Sequence, residues 1–343
     1  LVPYESSRGC WWGEKSHCTF CGLNGNGMAF RSKSPDRVIK ELKEITQETG
    51  MAPIAMTDNI MPMHYFKDLL PLIESQLPDL AVFYEEKANL TLENVTSLYR
   101  SGIREIQLGI ESLSTEILKL MKKGSFASKN IAVLRYTRIH GISVQWNLLY
   151  GFPGESVEPY EEMISIIPYL YHLPPPTAAI PVLISRFSPY FDDPVKHHIN
   201  NLRPLPAYFD FLPKNAPIDK IAYHFIADYE TAVTKKPEIA MNLFISVHKW
   251  VKKWVDKSGL PKLEIQQING NYNILDTRNT RISENINEEK ALLLLFGAKL
   301  NQKERIQWAL EKNYLLEIDG KFIPLATADY PTMKKLELLN KKA

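Results

Sequence analysis

Only three cysteines occur among the 343 residues, and an odd count of thiols excludes a disulfide framework as the organising device. No continuous apolar run reaches the roughly 18 residues that a membrane-spanning helix needs, and the N-terminus lacks the basic-then-apolar pattern of a secretory signal. An excess of one charge is also missing. Lys and Arg total 41 against 39 Asp and Glu, a formal +2, so no global field attracts nucleic acid or an anionic membrane. A polyanion would need a local site. Free thiols suit a reducing cytoplasm, which is the expected location. The first residue is Leu1 rather than Met, so a longer parent chain is expected. What is present is an ordinary apolar fraction, 45%, enough for one large core and a smaller appendage.

All three cysteines lie in the stretch Arg8-Gly9-Cys10-Trp11-Trp12-Gly13-Glu14-Lys15-Ser16-His17-Cys18-Thr19-Phe20-Cys21-Gly22, with seven residues and then two between them. Clustering of this kind points to a metal or cluster site rather than three unrelated core thiols. Structural zinc closes with four protein ligands, and electron-transfer iron–sulfur clusters also take four cysteines. A four-iron four-sulfur cluster on three thiolates would leave one iron open to a reacting ligand. The competing reading is a zinc knuckle completed by His17 or another of the eight histidines.

After a turn at Asn24-Gly25-Asn26-Gly27, Ser34-Pro35 opens a helix whose apolar face is Val38, Ile39, Leu42 and Ile45 and which stops at Gly50. Short apolar runs ending in polar tips then alternate with helix-periodic segments. The runs are 53–56 before Asp58 and Asn59, 81–84 before Glu85 to Asn89, 105–110 before Glu111 and Ser112, 142–149, and 179–184. This alternation predicts parallel βα units with right-handed crossovers, about six in number, hence an open partial barrel. Ligands collect at the carboxyl ends of such strands, where the polar tips and the cysteine loop fall. The expected division is a barrel at 1–195, an irregular connection and helices at 196–260, and a terminal module at 261–343. In the second part a helical stretch is expected over 219–258, with Trp250 and Trp254 as core packing. In the third, a helix from Glu288, a helix from Gln302 to Lys312, and a hairpin turning at Asp319-Gly320 resemble a winged helix, read as a packing or peptide-binding module.

The strings Glu5-Ser-Ser-Arg-Gly-Cys-Trp-Trp-Gly13, Cys18-Thr-Phe-Cys-Gly-Leu-Asn24, Tyr84-Glu-Glu-Lys-Ala-Asn-Leu90, Gly109-Ile-Glu-Ser112, Trp146-Asn147, Gly151-Phe-Pro-Gly-Glu155 and Arg186-Phe-Ser-Pro-Tyr190 resemble the radical S-adenosylmethionine superfamily. Within it they are similar to the radical proteins that mature ribosomally made peptides. The seven-residue gap departs from the superfamily's commonest spacing, which has three residues there. The resemblance runs from about residue 3 to residue 230. It implies an α/β fold, a partial (β/α)6 radical S-adenosylmethionine barrel with a C-terminal helical and winged-helix-like region.

The resemblance also implies cofactors and roles. Cys10, Cys18 and Cys21 would hold the cluster, and S-adenosylmethionine would chelate its open iron. Reductive cleavage would yield a 5′-deoxyadenosyl radical that takes hydrogen from an unactivated carbon of a precursor peptide. Phe20, Asp58, Asn59, Glu111, Ser112, Asn147 and Arg186 are the expected cofactor contacts; helix capping is the rival role for the tip residues and salt bridging for Arg186. Lys87 is expected to meet a carboxylate, and Trp11 and Trp12 to screen the cluster. The expected outcomes are backbone rearrangement or carbon methylation, the latter with cobalamin only if an upstream domain was removed. Epimerisation ranks below them because it usually needs a spare thiol. A zinc-stabilised peptide-binding scaffold is the non-catalytic alternative. Expected partners are the precursor peptide, a reducing electron donor and a small leader-recognition protein, with neither nucleic acid nor membrane.

Overall fold

The computed structural model describes residues 1–25, 27–257, 259–297 and 303–342. Strands β1 (Val2–Tyr4), β2 (Ile54–Met56), β3 (Val82–Lys87), β4 (Ile103–Gly109) and β5 (Ser143–Gln145) pair parallel in chain order. Strands β6 (Leu148–Tyr150) and β7 (Ala179–Pro181) form a further parallel pair. A parallel bridge between Glu111 and Leu148 ties that pair to the sheet.

Strands β5 and β6 are therefore two halves of one strand position, interrupted at Trp146 and Asn147. Between the pairings of Gln107 with Gln145 and of Glu111 with Leu148, one side spends three residues and the other two. The surplus is taken up where Glu111 adopts a left-handed φ of 59°, a local distortion of the kind that re-aims side chains at sites. The Asn130 amide pins it by donating to Ile110 O at 3.0 Å and Ser112 O at 2.8 Å. Six strand positions in sequential order make the open α/β barrel that the alternation predicts.

The outer helices follow their end signals. Helix Pro35–Thr49 starts after Ser34, whose hydroxyl makes no cap bond, and ends at left-handed Gly50. It buries Val38, Ile39 and Leu42. Helix Leu92–Arg100 carries a capping box from Thr91 and Asn94, and helix Ala127–His140 ends at left-handed Gly141.

Beyond the barrel the sequence expectations need correction. A three-stranded antiparallel sheet of Ile184–Ser185, His224–Asp228 and Asn200–Pro204 crosses the boundary drawn at 195. The long helix is Glu238–Val255, the later part of the expected stretch. Its Trp250 is buried and lies edge-on to Trp146 at 5.8 Å between centroids, with Nε1 donating to Leu173 O.

The terminal part begins with an antiparallel meander absent from the expectation, Leu263–Ile268, Asn271–Asp276 and Ile282–Ile286. Its first turn, Asn269-Gly270, has φ of 50° and 83°, which suits the tight primed hairpin turns. Helices Glu288–Phe296 and Lys303–Glu311 follow, then the expected hairpin Leu315–Ile318 with Lys321–Pro324. The expected helix start at Gln302 and the turn residue Asn26 lie outside the described residues.

The apolar interior of this part is continuous with that of the barrel. Buried Arg135 donates to Ala326 O and Leu295 O, His172 shares a hydrogen bond with Leu325 O, and Arg278 donates to Tyr169 O. A detached module would leave those donors and acceptors without their partners. Among the described residues, no helix is long and apolar enough to cross a membrane.

Candidate active site

The loop after β1 carries the cysteines. Cys10 sits at the start of the short helix Trp11–Lys15, where its Sγ accepts from Gly13 N at 3.3 Å. The loop is held from both sides. Gly22 lies so close to Arg186 that an added Cβ would stand 2.0 Å from the Arg186 carbonyl oxygen. Tyr190 N donates to Thr19 O at 3.1 Å. The Arg186–Tyr190 string is thus a clasp over the cysteine loop.

Cys10, Cys18 and Cys21 line one cavity together with Trp12, Phe20, Asn24, Asn59, Glu85, Glu86, Lys87, Glu111, Lys123 and Asn147. The cysteine loop supplies one side, and the ends of β2, β3, β4 and β5 supply the rest, as expected for a parallel sheet. Phe20 packs edge-on against Phe152 at 5.9 Å. Phe152 belongs to the Gly151–Glu155 turn, where buried Glu155 accepts from Gly151 N, Phe152 N, Ala232 N and the Tyr160 hydroxyl.

Charge is concentrated around the thiols. Lys123 pairs with Glu111 at 2.8 Å and lies 5.6 Å from the centre of the Phe20 ring. Lys87 lies 4.2 Å from the centre of the Trp12 ring and donates to Lys123 O. Burial pushes the Cys18 thiol up while Lys123 and Lys87 pull it back; burial also raises Cys21, opposed by a backbone hydrogen bond at Leu23. Burial, helped by Lys123, brings Lys87 down to about 8. For Lys123, burial acts downward, but Glu111 and the cysteines outweigh it and its pKa ends above the ordinary value. The two lysines thus offset part of the burial cost of a thiolate at Cys18, and Lys123 does the same at Cys21.

The expected contacts fall into two groups. Phe20, Asn59, Glu111 and Asn147 reach the cavity wall. Asp58, Ser112 and Arg186 do not line it. Asp58 is fully buried beneath the tip of β2, accepting from Ser6 N, Ser6 Oγ, Ser7 Oγ and the Tyr84 hydroxyl. Ser112 is buried and accepts from Ser114 N at 3.1 Å, a local turn bond. Arg186 turns away, donating to Ala222 O and Asp219 O and standing 5.0 Å from the Phe191 and Phe225 ring centres. Lys87 meets a carbonyl rather than a carboxylate. Trp12 lines the cavity, and Trp11 is anchored by Nε1 to Met61 O at 3.0 Å.

The donor set fits a polyatomic cluster better than one ion. A tetrahedral zinc with Zn–S near 2.3 Å needs its sulfurs within about 4 Å of one another. Among the described residues, no three His, Cys, Asp or Glu side chains are gathered closely enough to share one ion. His17, one candidate for the fourth ligand in the competing zinc reading, has Nε2 engaged with Cys21 O at 2.7 Å. The cavity also holds buried polar atoms without a protein partner among the described residues, Glu86 Oε1 and Asn147 Oδ1. Such atoms call for a ligand.

Sequence reasoning missed Lys123 and Glu86 as wall residues. Lys123 had a faint signal in Gly124, which must be small because an added Cβ would lie 2.0 Å from the Trp12 ring. Glu86 had none beyond its place at a strand tip.

Residues 4–167 match the Radical SAM superfamily. The chain is 27% identical over 170 residues to an uncharacterized methyltransferase of Pyrococcus horikoshii, covering 48% of this chain and 36% of that protein. It is 28% identical over 177 residues to the bacteriochlorophyllide d C-12(1)-methyltransferase of Chlorobaculum tepidum, covering 49% of this chain and 37% of that one. The chain thus spans little more than a third of the length of these relatives. Among solved structures, the radical S-adenosylmethionine methyltransferase TsrM of Kitasatospora setae superposes with a TM-score of 0.55 at 16% identity, covering 75% of this chain and 52% of that one. That likeness concerns the fold.

Proposed function

Residues 4–167 form a Radical SAM superfamily domain, and on that premise we propose that this is a radical enzyme modifying an unactivated carbon, with methyl transfer as the reaction class. Cys10, Cys18 and Cys21 hold a four-iron four-sulfur cluster, and the same cavity takes S-adenosylmethionine. The observation that carries this reading is that all three thiols open onto one cavity whose other wall is built from polar strand tips. When bound, the cluster and S-adenosylmethionine supply one-electron chemistry that activates an inert C–H bond.

The chain's own residues place and shield. Lys123 and Lys87 balance thiolate charge, and Lys123 in turn holds Glu111 in position at the distorted end of β4. Trp12 and Phe20 form apolar wall that limits water. Asn59, whose Nδ2 donates to Asn24 Oδ1 at 2.9 Å, ties the β2 tip to the cysteine loop. Its neighbour Asp58 positions β1 against β2 and β3 rather than touching ligand.

Methyl transfer is supported by the two methyltransferase relatives. The finer reading of the substrate, a ribosomally made precursor peptide, rests on the seven sequence strings above. Epimerisation is disfavoured because every cysteine faces the cluster cavity and none remains as a hydrogen donor. The test is anaerobic reconstitution with iron and sulfide, reduction with S-adenosylmethionine, and mass spectrometry for 5′-deoxyadenosine and for gain of one CH2 in a candidate peptide. Cofactor cleavage that vanishes in Cys18→Ala supports the enzyme reading. Stoichiometric zinc with no cluster and no cleavage refutes it in favour of a binding scaffold.

A further inference from the structure

Glu86 at the end of β3 is 5% exposed, lines the cysteine cavity, and has Oε1 without any protein partner among the described residues. A buried carboxyl with nothing to bond is costly unless a ligand completes it. We infer that Glu86 is a ligand-contacting residue that donates a hydrogen bond from its carboxyl O–H to an acceptor atom on the adenosyl part of S-adenosylmethionine.

The inference rests on the reading of this cavity as the S-adenosylmethionine site. Glu86, Gln107 and Asn147 line the cavity at the ends of β3, β4 and β5, away from the cysteine loop, and would be available to the adenosyl part of a ligand whose other end is held beside the cysteines. The acid must be neutral to donate. Burial, and after it the nearby Asp58 charge, pushes the Glu86 carboxyl well above the ordinary carboxylate range. Neither Lys87 nor Lys123 is placed to neutralise it as an ion pair, since Lys87 is bonded to Lys123 O and Lys123 to Glu111. Glu86 is thus distinct from Glu111, a salt-bridged carboxylate on the same wall.

The test uses cluster-reconstituted protein titrated calorimetrically with S-adenosylhomocysteine, with iron content checked in each variant. Glu86→Gln keeps a donor of similar shape and is expected to bind within about threefold of the original chain. Glu86→Met fills the space without a donor and is expected to bind about tenfold or more weakly. Glu86→Ala should follow Glu86→Met; should it fail to fold, the Gln and Met variants decide. Equal affinity of the Met variant and the original chain overturns the inference while leaving the cavity reading intact. An original chain that holds its cluster but shows no affinity for S-adenosylhomocysteine overturns both.

Discussion

Replacing Asp58 separates a structural role from a cofactor role at the same strand tip. Its carboxylate accepts four hydrogen bonds, from Ser6 N at 2.7 Å, Ser6 Oγ at 2.5 Å, Ser7 Oγ at 2.7 Å and the Tyr84 hydroxyl at 2.6 Å. At a net ~1 kcal/mol each, Asp58→Ala should cost about 4 kcal/mol. In Asp58→Asn one oxygen still serves the Ser6 N–H, while the new amide faces three hydroxyls that can partly rotate to accept, for a loss of about 2–3 kcal/mol. Unfolding entropy of about 2.1 cal/mol/K per residue gives roughly 0.7 kcal/mol/K for a chain of this size, so the Ala variant should melt about 6 °C lower. The assay is thermal and urea unfolding of cluster-free protein, with S-adenosylhomocysteine affinity measured separately on reconstituted protein. Unchanged unfolding with affinity lost would refute the reasoning and return Asp58 to the ligand.

Gly22→Ala should abolish iron uptake on reconstitution, because the new Cβ would collide with the Arg186 carbonyl; normal iron content would show that the clasp can yield. Glu155→Gln should lower stability by about 2–3 kcal/mol in urea unfolding, since the amide meets the donors gathered by the carboxylate. His172 is buried and held well below its usual pKa, first by burial and then by Arg278. The unfolded chain therefore binds a proton that the folded one refuses. Its contribution is fully present above pH ~6.5 and falls as pH drops, by at most about 1.4 kcal/mol per unit. Unfolding free energy should decline below pH ~6.5 with a slope that lessens in His172→Gln; identical slopes would exclude His172 as the source. Ending the chain before Leu263 should give insoluble or unfolded protein rather than a barrel with weakened peptide affinity, because Arg135 and His172 would lose Ala326 and Leu325; a soluble, cooperatively folding fragment would contradict this.

The parallel barrel was legible because strand and helix periods alternate and the helix ends carry Ser, Thr and Gly signals. The terminal meander was missed although Asn269-Gly270, a strong hairpin dipeptide, stood in plain view. Strands 263–268 and 271–276 alternate imperfectly, and the pairing of the first with Thr327–Ala328 joins residues about sixty positions apart. The break between β5 and β6 was not legible either, since Ile142 to Leu149 reads as one run and only the lapse of pairing at Trp146 and Asn147, opposite the distortion at Glu111, interrupts it.

By itself the sequence determined that all three thiols sit in one loop, because their grouping is a matter of local spacing. It also determined that polar residues follow each strand. Which of those residues face the cysteine cavity was decided by tertiary structure. Asp58 and Asn59 are neighbours of similar polarity, yet one is drawn under the sheet by hydroxyls more than 25 residues away on β3 and more than 50 away beside β1, and the other meets the cavity. Glu86 and Glu111 are both acids at strand tips, yet burial raises the pKa of one well above the usual carboxylate range while Lys123 pairs with the other. Those differences come from long-range hydrogen bonds and desolvation, which depend on what the fold brings near and not on the residue or its neighbours in sequence.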